Sequence, residues 1–486
     1  LLAETKSGKV RGYIEKDMIV FKGIPYARAP VGALRFKPPI ALEAWDGVLE
    51  AKFYGNRAMQ QQQDEGYVYS EDCLNLNVWT PGIDGKKRPV IFYIHGGGHI
   101  EGSNSDEFST GQRLIRDKEA VMVAPNYRLG AFGYLYLGDR LGEEYAESGN
   151  CGLLDQLCAL QWVRDNIAEF GGDPENVTLM GQSAGGKSAA NLMVTPRAQG
   201  MFHKVIIQSG GIQCMRDRVT AAVLASFVVD ALDLGENGTQ QLLSISAEEL
   251  LNGQIKAYEH ILPVHLFGPV VDGRVLEEPP ESFISTGRLA GIPVLIGYNR
   301  DELGQADPHE AFDEAEVPDK LSYSYGYNSG YLLSKYRQLR DTMHPGLAFS
   351  TLQTRYMYGN ASLSLTQLLA EYGSKIWCYR WDFVGNGLPD HSSEMVYLFG
   401  VEKREKAEGY PPEHAYMSRL MNETWMAFIL NDDPNNSLLP HWPACRSGAG
   451  DHRLLLEDYP YVETIDLHAY DKQFPRQVIT LDDPVK

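Results

Sequence analysis

The stretch V-T-L-M-G-Q-S-A-G-G-K-S, from Val177 to Ser188, decides how this chain is read. Four residues of strand character run into Gly181-Gln182-Ser183-Ala184-Gly185, and Lys187 to Val194 has the composition of a helix. A serine between two glycines at a tight strand-to-helix turn forms a nucleophile elbow. The turn lifts the hydroxyl clear of the backbone, and the strained serine draws its neighbours so close that only small residues fit at Gly181 and Gly185. The helix N-terminus behind it offers N–H groups where an oxyanion would form.

The same letters admit two other readings. Gly181 to Ser188 also satisfies G-x-x-x-x-G-K-[ST], the phosphate-cradling P-loop, with Lys187 as its cation, and that motif too sits between a strand and a helix. A glycine-rich turn without chemistry is the third. The surroundings have to decide among acyl transfer, nucleotide binding and neither.

Working outward, Val90 to Ile94 is a fully apolar run of the kind found in strands covered on both faces, and it opens directly into His95-Gly96-Gly97-Gly98-His99. Glycines leaving a buried strand let backbone N–H groups approach a ligand with no side chain between, and an H-G-G-G loop supplies oxyanion donors in α/β-hydrolases. Further strands are predicted at Ala120 to Pro125, Lys204 to Gln208, Ile292 to Gly297, Ile376 to Val384 and Arg453 to Glu457. Helices are predicted at Leu153 to Phe170 and His414 to Asn431. This alternation predicts an α/β fold with a doubly wound, mostly parallel central sheet. At the N-terminus, Lys9 to Gly12 and Met18 to Lys22 read as a hairpin around Glu15-Lys16-Asp17, and the proline-rich segment from Phe21 to Pro39 as an extended arm. Amphipathic patterns at Val219 to Leu234 and Ala247 to Tyr258 place a helical cap insertion over about 212–345, within a single domain spanning 1–486. Acidic and tyrosine-rich segments follow, Glu310 to Asp319 and Tyr323 to Tyr331, and the charged run reads as a solvated face.

Composition narrows the partners. A net charge of −20 in 486 residues argues against nucleic acid and anionic membrane surfaces, and no apolar run is long enough to span a bilayer. The opening residues carry no signal-peptide pattern, which predicts a cytoplasmic protein, or a secreted one if such a peptide has been removed. Six cysteines lie without zinc or C-x-x-C spacing, as buried thiols in a reducing compartment would. The expected partner is a small-molecule ester, handled by a monomer or small homo-oligomer.

A serine nucleophile needs a histidine to take its proton and a carboxylate to orient that histidine. In α/β-hydrolases the chain order is serine, acid, histidine, each on a loop after a strand. Glu302 follows the strand ending at Gly297, with Asp301 its immediate competitor and Asp382 disfavoured within a strand. His391 follows the strand ending near Val384, whereas His309, His344, His414 and His441 lack that setting.

The ordered set F-K-G-I-P-Y-A, S-E-D-C-L-N-L-N-V-W, H-G-G-G, N-Y-R-L-G, G-Q-S-A-G-G, R-D-E-L-G and H-S-S-E-M-V-Y-L-F-G resembles the type-B carboxylesterases, the family that includes the cholinesterases, nearly end to end. The resemblance implies a serine esterase of bacterial type without metal or cofactor. It assigns Ser183, Glu302 and His391 as catalytic triad and the backbone N–H groups of Gly97, Gly98 and Ala184 as oxyanion hole. It further implies ion pairs Arg35–Glu71 and Arg128–Asp155. Three departures stand out: Gln182 where relatives carry glutamate, His99 after the glycine loop, and no upstream cysteine for Cys73, which is expected as a free thiol. Some relatives are non-catalytic adhesion proteins; those lack the serine that is present here.

Overall fold

The apolar run leaving Lys87 becomes the strand Arg88–Ile94, in which every side chain except Pro89 is buried. It pairs in parallel with Val121–Pro125 on one side and with Gly172–Gln182 on the other, the environment that selects continuous β-branched and aromatic residues. The computed structural model describes residues 1–212, 214–258, 266–304, 312–385, 387–400, 411–445, 451–467 and 480. Two units emerge, Leu1–His203 with Cys214–Pro279, and Lys204–Gln213 with Pro280–Lys486.

In the first unit the order continues from Val121–Pro125 through antiparallel Asn75–Thr80, Met18–Pro25 and Tyr13–Glu15. The predicted hairpin exists with a different partner. Lys16 and Asp17 both adopt positive φ, 50° and 67°, the two-residue turn that suits strand twist, so Met18 pairs with Glu15. Gly8–Arg11 pairs instead with Leu2–Thr5 and Val48–Glu50. The predicted helix from Leu153 forms as Cys151–Asn166, tightens into a 3₁₀ turn at Ile167–Phe170 and stops at Gly171, whose φ of 80° only glycine adopts without strain. The cap patterns form Arg218–Ala231, capped by Asp217, and Ala247–Ala257, which starts in a Ser246–Glu249 capping box.

Both implied ion pairs form. Arg128 donates to Asp155 from Nε and Nη2, each at 2.7 Å, at 2% and 0% exposure, and its Nη1 donates to the Lys37 carbonyl at 2.8 Å. Arg35 grips Glu71 in the same two-pronged way and also reaches the Leu242 and Ile245 carbonyls. Removing one partner of a buried pair leaves an uncompensated charge. Asp155→Ala is therefore expected to cost about 3–5 kcal/mol, read as a lower urea midpoint at unchanged slope.

In the second unit Lys204–Gln208, Pro293–Asn299, Lys375–Trp381 and Asp451–Leu456 are successive parallel strands, closed by antiparallel Tyr461–Ile465. Of the acidic run, Glu310 and Ala311 lie outside the described residues. Asp313, Glu314, Glu316 and Asp319 are exposed as expected. The opposite face does more than the sequence reading allowed. Helices Val317–Tyr325, Ser329–Arg340 and Pro345–Gln353 bury Val317, Leu321, Tyr325, Leu332, Tyr336, Ala348 and Leu352 together. Cys73 and the other five cysteines carry free thiols, five of them buried. Among the described residues no helix is long and apolar enough to cross a membrane.

Candidate active site

Ser183 is the single residue between the strand Gly172–Gln182 and the helix Ala184–Met193. Its φ of 58° and ψ of −124° are costly for an L-residue, and the neighbouring glycines explain how the turn survives. A side chain on Gly185 would run into the Ile94 carbonyl, and one on Gly181 into the backbone of Gly185. Serine at a helix N-terminus ordinarily caps it, yet the Ser183 side chain makes no capping bond. The first N–H groups of a helix have no acceptor within it. This geometry also removes the P-loop reading. A phosphate cradle needs an open loop from Gly181 to Gly186, and here Ala184, Gly185, Gly186 and Lys187 are already helical.

The glycine loop turns sharply at Gly97, Gly98 and His99, with φ of 101°, 64° and 63°. A side chain on Gly97 would collide with the Glu101 carbonyl. Gly96 to Gly98 are half-exposed between two buried histidines. His95 stacks on Tyr127 at 4.5 Å, and burial pushes its ring down to about 4, so it is neutral. Gln182, at 5% exposure, is uncharged beside Ser183, and its Nε2 is buried without a hydrogen-bond partner.

In the second unit the structure brings together the two residues that the sequence paired. Glu302 is 1% exposed. One carboxylate oxygen accepts the Asn299 N–H at 2.8 Å, and the other meets His391 Nδ1 at 2.6 Å across 89 residues of chain. The His391 N–H donates to the Glu302 carbonyl at 2.8 Å, and Tyr358, from the π-helical turn Thr354–Gly359, packs on the imidazole at 4.9 Å. Asp301 turns to Arg300 instead, and Asp382 lies one residue past its strand, bonded to Arg380. His309 falls outside the described residues.

Sequence reasoning gave no role to Glu394, though it quoted the motif that holds it. Glu394 is fully buried, its carboxylate taking the Asn299 Nδ2 at 2.6 Å and the Gln208 Nε2 at 3.2 Å. Asn299 thus donates to both carboxylates. Burial drives Glu394 up from 4.5 to about 7; the Asn299 hydrogen bond opposes this, and the Glu302 charge adds to it. A raised carboxyl keeps in the folded state a proton that the unfolded chain has released, so it erodes stability as pH climbs from 4.5 to about 7 and no further above that. In Glu394→Gln, the drop in Tm between about pH 5 and about pH 8 is expected to be smaller than in the parent, as measured by thermal melts.

Solved structures share this architecture. A crystal structure of a Geobacillus stearothermophilus carboxylesterase matches with a TM-score of 0.84 at 35% identity, covering 97% of this chain and 99% of that one. A thermophilic pNB esterase structure matches with a TM-score of 0.85 at 30% identity, at 97% and 99% coverage. Parallel strands flanked by helices, with Ser183 on an elbow and Glu302 and His391 on later loops, make the fold that of an α/β-hydrolase. The carboxylesterase family profile matches residues 1–463. The chain is 34% identical to the para-nitrobenzyl esterase of Bacillus subtilis (strain 168) over 465 residues, which is 91% of this chain and 92% of that one. It is 30% identical to the phenmedipham hydrolase of Pseudarthrobacter oxydans at 92% and 93% coverage. It belongs to the carboxylesterase family and is a carboxylic ester hydrolase.

Proposed function

We propose that the enzyme hydrolyses small carboxylic esters in two steps through an acyl-enzyme on Ser183. The observation that carries this reading is the 2.6 Å bond between Glu302 and His391 Nδ1. With Nδ1 held by the carboxylate, Nε2 is the ring nitrogen left to take the Ser183 proton. Ser183 Oγ then attacks the ester carbonyl, while the N–H groups of Gly97, Gly98 and Ala184 stabilise the oxyanion. The imidazolium returns its proton to the leaving alcohol, and water repeats the sequence on the acyl group. The Ser183 turn and the half-exposed glycine backbone support these roles. Residues 212–345 are assigned to shaping the acyl and alcohol pockets.

A fluorophosphonate probe tests the reading, because it reacts with an activated serine and with nothing in an adhesion-type relative. One phosphonyl adduct on the Ser183 peptide is expected by mass spectrometry. Absence of labelling, or labelling elsewhere, overturns the assignment.

A further inference from the structure

His99 closes the glycine loop, and its setting is unusual for a loop histidine. It is 2% exposed and holds a left-handed backbone, φ 63°. Such a conformation persists in a residue with a Cβ only where the surroundings over-determine it. Three contacts do so. Its carbonyl accepts the Gly130 N–H at 2.7 Å, its ring packs on Tyr134 at 4.9 Å, and its Nε2 lies 3.2 Å from Ser188 Oγ. Ser188 is itself held by Gln156 Nε2 at 3.1 Å. A hydroxyl both donates and accepts, so the His99–Ser188 bond survives in either tautomer of the ring.

Ser188 sits one helical turn beyond Ala184, on the same helix. The two sets of assigned oxyanion donors come from different strands, with Gly97 and Gly98 after Arg88–Ile94 and Ala184 after Gly172–Gln182. A side-chain bond from His99 to Ser188 spans that gap. We propose that His99 is a positioning residue, a brace that ties the glycine loop to the helix after Ser183 and so keeps the N–H groups of Gly97 and Gly98 in register with that of Ala184. The inference rests on the oxyanion roles assigned above. Burial, reinforced electrostatically by Lys187, Arg216 and His95 and opposed by a hydrogen bond with the Ala184 backbone, pushes the ring down to about 3, so the brace is a neutral group whose bonding does not change across the working range.

The test compares His99→Phe, which keeps a ring and loses the hydrogen bond, with Ser188→Ala, which cuts the same bond from the other end, and with the double variant. Readouts are kcat and KM on a short-chain p-nitrophenyl ester and Ki for a trifluoromethyl ketone, whose hemiketal places an oxyanion in the hole. Each single variant is expected to lose about tenfold to a hundredfold in kcat, with KM shifting less than about threefold. Ki should rise in step with the loss in kcat/KM. The double variant should be no worse than the worse single, since the His99–Ser188 bond is already lost in each. Losses that multiply, or kcat and Ki within about twofold of the parent, overturn the brace even if Tm falls. If His99→Phe does not fold, Ser188→Ala decides by the same limits. Failure here leaves fluorophosphonate labelling of Ser183 in the parent intact, whereas failure of the parent to label removes the reading on which the brace stands.

Discussion

Ser183→Ala is expected to lower kcat on a short-chain p-nitrophenyl ester by about 10⁶-fold, with the folded structure retained. The size follows from what the substitution removes. Without Oγ no acyl-enzyme forms, and His391 has no proton to accept, so the assigned groups lose their shared purpose at once. What remains is the weak catalysis of bound water near the oxyanion donors, about 10³–10⁴ over the uncatalysed rate. The fold is expected to survive because alanine carries the same Cβ into the same strained φ. The check is steady-state turnover beside a circular-dichroism melt. Activity near that of the parent, in a preparation shown free of other esterases, would remove Ser183 from the mechanism.

Glu302→Gln is expected to have the second large effect, a fall in kcat of about 10³–10⁴-fold. The amide is the shape of the carboxylate, and its oxygen still accepts the Asn299 N–H now bound at 2.8 Å. Its NH₂, however, donates toward His391 Nδ1. The ring then holds its proton on Nε2, the nitrogen that has to accept from the serine, and the imidazolium formed during attack loses its counter-charge. KM should move little, because neither group is assigned to binding the substrate. A second readout accompanies the first. The Glu302 charge helps raise Glu394, so in Glu302→Gln the Glu394 carboxyl titrates below its parent value of about 7, which the pH dependence of Tm reports.

Much of the site was legible because its signals are local. The steric demands of Gly181 and Gly185 come from residues within a few positions and from one adjacent strand, so they imprint a short motif. Glu302 and His391 were found by a weaker rule, a carboxylate and an imidazole on loops following strands. Asp301 satisfied that rule equally well, and what separates the two is that Asp301 bonds Arg300 while the buried Glu302 bonds His391. Glu394 escaped because an acidic residue in a loop motif looks like any solvated one. Nothing in its neighbourhood announces that Asn299 and Gln208 enclose it. The N-terminal hairpin went wrong for a similar reason. Alternation marked the strands correctly, but the choice between Gly8–Arg11 and Tyr13–Glu15 as partner depended on a turn conformation at Lys16 and Asp17.

By itself the sequence determined the alternation of strands and helices, the elbow at Ser183 and the family, since each follows from periodicity, turn chemistry or an ordered set of short motifs. Only the tertiary structure decided which carboxylate reaches His391, that Glu394 is buried beside it, and that His99 is buried against Ser188 rather than turned to solvent. The physical reason is the range of the forces involved. Backbone sterics and amphipathic patterning act over a few residues and leave their mark in the letters. Desolvation and hydrogen bonding between Glu302 and His391, or between His99 and Ser188, act between segments some 90 residues apart in the chain, and exist only once packing has brought those segments together.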